Sequence, residues 1–230
     1  MPPSYAGVWK RTLLATPTLR DTTTRVFWLQ TDLWHADIRI PVDRPPIRGD
    51  ALNLLDRTAL CALSRQQGFA GITEVQGDIC RWHRRIDYQP PGRFADVGRM
   101  RFETPDRLLE YGVEQEYFEI WERVHGSAGA SEMFDLAGPT QPRRVLLRAG
   151  AFLMLVQDRS DPLPAADNLE ALSSQASNAD LAAALNLNIS FGRIENADFW
   201  RIELSTLPWR EGKRLALCAD TRSDLTPASA

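Results

Sequence analysis

Three runs of side chains have the types and spacing that chemistry needs. Along Trp34 to Ile40, the residues His35, Asp37 and Arg39 alternate, which in an extended strand puts them on one face about 6 to 7 Å apart. A base, a carboxylate and a guanidinium in one row suit the orientation of an anionic ligand. A second row, Arg81, His83, Arg85 and Asp87, arises by the same alternation after Gly77. In the third, Tyr117, Glu119, Trp121 and Arg123 alternate while Phe118, Ile120 and Val124 take the opposite side, so neither face reads as an ordinary solvent face.

If the third row lines an interior, Glu119 must be paired or protonated, because an isolated buried carboxylate is strongly disfavoured. A cavity holding Trp28, Gln30, Tyr117, Glu119, Trp121 and Arg123 would then suit a small ligand with an aromatic or planar body and a polar end. The alternative leaves Trp121 on the outside, with Glu119 and Arg123 as a surface ion pair. For the first two rows the expected arrangement is solvent exposure, with Trp34, Ala36, Ile38 and Ile40, and Cys80, Trp82 and Ile86, filling the core behind them. Otherwise His35, Asp37, Arg39 and Arg81 are secondary candidates for ligand contact. A single acid or base in a dry cavity suffices for an isomerase, dehydratase or decarboxylase, and Glu119 or His83 would be that group. A metal site would require His35 and His83 to converge with Asp37 or Glu119, which no local spacing enforces, so no metal or other cofactor is expected. The nucleophile elbow, the phosphate-binding glycine loop, the dinucleotide fingerprint and the His-Glu-x-x-His pair are all missing from the sequence.

The elements that must hold these rows are mainly strands. Gly7 to Leu14, Thr22 to Gln30 and Trp34 to Ile40 are rich in β-branched and aromatic residues or alternate cleanly. Leu52, Leu55, Ala59 and Leu63 recur at helical spacing within Asp50 to Gln67, with Asp50 as N-cap and Gly68 just past the end. Period two then returns over Phe69 to Gln76, Asp78 to Gln89, Asp96 to Glu103, Arg107 to Tyr111 and Glu114 to Val124, with glycines and prolines at the breaks. Gly126 to Ser131 is small and polar and marks the boundary between two halves. Beyond it the order of events repeats: strands over Arg143 to Leu147 and Ala151 to Asp158, a helix within Ala166 to Ala184, then strands over Asn188 to Glu195, Phe199 to Leu207 and Arg214 to Cys218. The second half has no histidine, and Phe152 to Val156 is densely apolar, as a filled barrel or an interface would be.

Composition narrows the function classes. With 43% hydrophobic and 25% charged residues the chain has an ordinary globular balance, and a net charge of −3 offers no general attraction to nucleic acid or anionic lipid. No run approaches the roughly 20 apolar residues of a membrane helix, and the opening Met-Pro-Pro-Ser-Tyr is unlike a secretory signal, so a soluble, cytoplasmic protein is expected. Cys61, Cys80 and Cys218 are widely spaced and odd in number, which predicts reduced thiols. Lysine occurs only at Lys10 and Lys213, and arginine accounts for the other 25 basic residues, a bias attributed first to a GC-rich genome.

Gly7-x-Trp9, followed by an antiparallel series that closes on Arg123, resembles the calycin superfamily of lipocalin-like barrels. The resemblance implies that Trp9 packs beneath Arg123 at the seam. The aromatic hairpin, the single helix and the second half are similar more narrowly to a family of tandem lipocalin-like barrels, known from fungal cytosolic proteins and bacterial relatives, whose function is poorly defined. The expected fold is mainly β: two tandem antiparallel barrels, each with one short helix, over residues 1–125 and 132–220, with a flexible tail at 221–230. The leading functional expectation is an intracellular binding protein for a small, mostly apolar metabolite inside the first barrel. The enzyme above is the second, and the third is an adaptor whose second half, through Phe199, Trp200 and Trp209, meets a protein partner or a second copy.

Overall fold

A computed structural model of the chain describes residues 1–136, 138 and 142–216. Cys218, the end of the strand expected to reach it, and the expected tail lie outside the described residues. Strands β1 (Gly7–Ala15), β2 (Arg20–Asp21), β3 (Arg25–Gln30), β4 (Trp34–Ile40), β5 (Gln67–Gln76), β6 (Ile79–Asp87), β7 (Val97–Thr104), β8 (Arg107–Gly112) and β9 (Phe118–Arg123) form one antiparallel sheet. Because β9 pairs back onto β1, the strands other than β2 close an eight-stranded barrel, the size at which side chains just fill the interior. The short β2 extends the end of β1 as a hairpin.

Helix α1 (Arg57–Ser64) is shorter than the sequence periodicity suggests. The carboxylate of Asp56, not Asp50, caps it by accepting from the Ala59 N–H at 2.8 Å. Leu52–Leu54 is a separate 3-10 turn, and Gly68 belongs to β5.

The second half corrects the expectation of a second barrel. Strands β10 (Ser131–Asp135), β11 (Arg144–Ala149), β12 (Phe152–Gln157), β13 (Asn188–Ile194), β14 (Phe199–Ser205) and β15 (Arg214–Ala216) form an open six-stranded sheet, with β10 and β15 as its edges among the described residues. Two helices, α2 (Leu169–Ser173) and α3 (Asn178–Ala184), stand where one was expected, because the Ser177 hydroxyl caps a new start by accepting from the Asp180 N–H.

The cores explain how the halves meet. Inside the barrel lie Tyr5, Trp9, Val26, Trp28, Phe69, Cys80, Trp82, Met100, Leu108 and Trp121. A larger cluster joins the barrel's outer wall to one face of the second sheet: Val8, Leu29, Ala36, Ile38 and Ile40 pack with Val145, Leu147, Phe152, Met154, Val156, Ile189 and Phe191. Phe27 stacks on Phe191 with ring centroids 4.5 Å apart. Polar staples cross the same junction, the Arg159 guanidinium donating to the carbonyls of Asp87, Tyr88 and Ala184 and that of Arg44 to Gln66, the Ser205 carbonyl and Glu211. Among the described residues no helix is long and apolar enough to cross a membrane.

Candidate ligand-binding site

The apolar side of β4 faces the second sheet, so its polar side faces into the barrel. This reverses the expected arrangement of the first row: His35 and Asp37 are buried and Arg39 is half-buried at the inner face. In β6 the expectation holds only in part. Cys80 and Trp82 do point inward, whereas a register shift between Ala70 and Gly71 leaves Arg85 without a partner on β5. Arg84, in plain alternation with Cys80 and Trp82, points to the barrel mouth; beyond the bulge Asp87 joins it there and Ile86 turns outward into the cluster shared with the second sheet. Arg81 and His83 stay outside, His83 exposed and paired with Glu74 at 3.0 Å, so His83 is remote from any interior chemistry.

One end of the barrel is sealed. Trp9 and Arg123 are register partners across the seam, and the guanidinium lies 4.2 Å from the indole centroid, a cation–π contact. Arg123 also donates to the carbonyls of Ala6, Ser4 and Pro105 and pairs with Asp106. Gly7 sits at φ +135°, and a Cβ there would stand 2.5 Å from Arg123 Nη1, so the glycine of the Gly-x-Trp motif makes room for the arginine. Arg123 is thereby committed to the seam. Above it, Gln30 Oε1 accepts from Trp28 Nε1 at 3.1 Å and from Thr73 Oγ1 at 2.8 Å, while His35 Nδ1 lies 3.0 Å from Thr73 Oγ1. Burial, with the charges of Arg84 and His83, lowers the His35 pKa to about 3, so the ring is a neutral packing group.

Towards the open end the carboxylates gather. Glu110 and Glu119 are register partners on β8 and β9, and both are buried. Glu119 Oε1 accepts from Arg11 Nη1 at 2.7 Å, and Arg11 also pairs with Asp21 at 2.9 Å. Glu110 has no ion-pair partner among the described residues; it accepts from Tyr117 Oη at 2.7 Å and Trp121 Nε1 at 2.9 Å. Burial and the adjacent Glu119 charge push the Glu110 pKa well above the usual carboxylate range. Burial also raises that of Glu119, with Arg39 and Arg11 pulling against it. Gly98 faces Glu110 so closely that a Cβ would come within 2.8 Å of its Cγ. Arg39 Nε bonds Asp37 at 2.7 Å, and its terminal nitrogens make no hydrogen bond among the described residues. Arg84 lies over the Phe69 ring at 3.6 Å and pairs with Asp87 and Asp96.

The interior itself is filled. Between Trp28, Phe69, Trp82 and Trp121 only about 10 Å³ remains, room for about one water. That space leads to an open cleft of about 680 Å³ at the mouth, floored by Arg39, Trp82, Arg84, Glu110, Tyr117 and Glu119 and rimmed by Pro90, Phe94 and Gln115.

The chain matches no protein-family model and no curated protein. Among solved structures it is similar to an uncharacterized protein of Saccharomyces cerevisiae, YLR301w. The likeness has a TM-score of 0.54 at 13% identity and covers 86% of this chain and 84% of that one, so what the two share is the fold.

Of the residues singled out in the sequence, Trp28, Gln30, Asp37, Arg39, Tyr117, Glu119 and Trp121 do line the interior or its mouth. Arg123 seals the far end, and Arg81 and His83 lie outside. Three residues escaped the sequence reading: Glu110, Arg84 and Arg11. Glu110 shares alternation with Leu108 in a short strand, and Arg84 with Cys80 and Trp82, so both carried a usable signal. Among the described residues no set of three or more His, Cys, Asp or Glu side chains is placed to hold a metal.

Proposed function

We propose that the mouth of the barrel binds a small molecule with a planar or apolar body and a polar end that both accepts and donates hydrogen bonds. The carrying observation is the cleft, whose volume of about 680 Å³ lies in the range of small-molecule sites and whose floor carries an aromatic surface beside unspent polar valences. Arg39 offers its terminal nitrogens to an acceptor, and Glu119 Oε2, which has no hydrogen bond among the described residues, takes a donor. The filled interior moves the ligand from the barrel centre, where a mostly apolar metabolite was first expected, to the rim. Up-and-down closure with Trp9 beneath Arg123 supports the lipocalin-like reading and a binding role.

The test is a screen of small planar amides and carboxylic acids by quenching of tryptophan fluorescence, since Trp82 floors the cleft and Trp28 and Trp121 lie against the small void beneath it. A compound of the proposed class should bind about tenfold or more weakly to Arg39→Gln, the loss of one charge-assisted hydrogen bond. Ligands whose affinity ignores both Arg39→Gln and Trp82→Ala would place binding elsewhere.

A second reading, catalysis by one acid, rests on Glu110, whose pKa burial and the Glu119 charge raise well above the usual carboxylate range. For any bound compound that the protein converts, Glu110→Gln should cut turnover by about 10²-fold or more while affinity is kept. A pure binding site shows no turnover to lose.

A further inference from the structure

One face of the second sheet lies on the barrel, and the other turns away from it. On that outer face Arg144, Gln157 and Asn188 stand in register across β11, β12 and β13, and one row further in come Leu146, Leu155 and Ser190. Arg210, in the 3-10 turn Pro208–Arg210 after β14, brings its Nε to 3.3 Å from Ser190 Oγ. Ser190 is held in turn by Asn188 at 2.7 Å and Ser205 at 2.9 Å. Neither guanidinium has a carboxylate within ion-pair distance among the described residues. Arg144 makes no side-chain hydrogen bond there, and its Nε is shut off from solvent.

Other half-buried or buried arginines of the chain are treated differently. Arg11, Arg39, Arg44 and Arg84 are each matched to a carboxylate, and Arg159 to three carbonyls. Here two half-buried cations border the same Asn188–Ser190 patch instead, and burial together with the Arg144 charge depresses the pKa of Arg210. Two like charges held together in a poorly solvated place cost stability unless a counter-charge joins them. The same face carries another donor without an acceptor, the buried Trp200 Nε1. Its surroundings, Leu146, Leu153, Leu155 and Ile202, are apolar and supply none.

We propose that Arg144 and Arg210 form an oxyanion site on the second half, which takes the carboxylate or phosphate group of a small ligand. Two planar forks give paired hydrogen bonds to such a group, and Ser190 positions Arg210 for it. The site is separate from the barrel mouth and from the binding role proposed there.

The experiment is thermal unfolding of the full chain in inorganic phosphate or propionate, against sodium chloride at matched ionic strength. Phosphate, propionate or both should raise the midpoint beyond chloride, and the one that does so identifies the anion type. The rise should shift to about tenfold higher anion concentration or vanish in Arg144→Gln and in Arg210→Gln, and it should survive Arg39→Gln. Without anion, each glutamine variant should melt no lower than the parent, because the substitution relieves the repulsion. An equal response to chloride, an unchanged response in both variants, or a drop in both variants without anion would overturn the site.

Discussion

At the scale of single residues, the barrel's chemistry is concentrated in carboxylates whose surroundings differ. Glu119 is matched by Arg11, while Glu110 is left with the hydroxyl of Tyr117 and the indole N–H of Trp121. Burial and the Glu119 charge raise the Glu110 pKa above the ordinary 4.5. The folded state therefore keeps a proton that the unfolded chain releases above that value. Its contribution is fully present below pH 4.5 and is lost as pH rises through the folded pKa, with a slope of at most about 1.4 kcal/mol per pH unit. Glu110→Gln, a fixed mimic of the protonated acid, should remove this alkaline loss. Chemical denaturation at pH 5 and pH 8 checks it: the stability lost between the two should be larger in the parent than in the variant. Identical losses would mean that Glu110 is already ionised at pH 5.

At the scale of elements, the strands were largely legible and their orientation was not. Alternation located β4 to the residue, because a half-buried strand writes its period into the chain. Which face lies inside is a different matter. Ala36, Ile38 and Ile40 are apolar because a second sheet covers the outer wall, and that is a fact about partners about a hundred residues away in the chain. The bulge after Ala70 is equally silent in the sequence, yet it decides that Ile86 turns outward and that Asp87 joins the mouth. β10 was missed because Ser131–Asp135 is short and follows a small, polar stretch. The seam between β1 and β9, by contrast, was marked by Gly7, Trp9 and Arg123, residues whose types the close packing there dictates. Trp9→Ala removes a fully buried ring and the surface on which Arg123 rests, so it should cost about 3 to 5 kcal/mol. Urea titration measures this, and an unchanged midpoint would remove the seam as the point of closure.

At the scale of the whole molecule, the outer wall of the barrel is the floor of the second sheet. Two tandem barrels with separate interiors would unfold separately; here Phe27 stacks on Phe191, which in turn stacks on Phe152 at 5.6 Å, and the cluster runs on through α1, α2 and α3 without a gap. Neither surface could be left in water, since the barrel side alone presents Val8, Leu29, Ala36, Ile38 and Ile40. The arginine bias also has a structural use at this scale, because Arg44 and Arg159 tie the halves with several bonds each, which the point charge of a lysine would not supply. A shared core couples the loss of one half to the loss of the other, so residues 1–216 should unfold in a single cooperative transition. Phe191→Ala, which opens a hole at the centre of the junction, should lower that one transition by about 3 to 5 kcal/mol rather than split it. Scanning calorimetry decides between the pictures: a van't Hoff enthalpy equal to the calorimetric one is expected, and two resolved transitions in the parent would mean that the halves are stable apart.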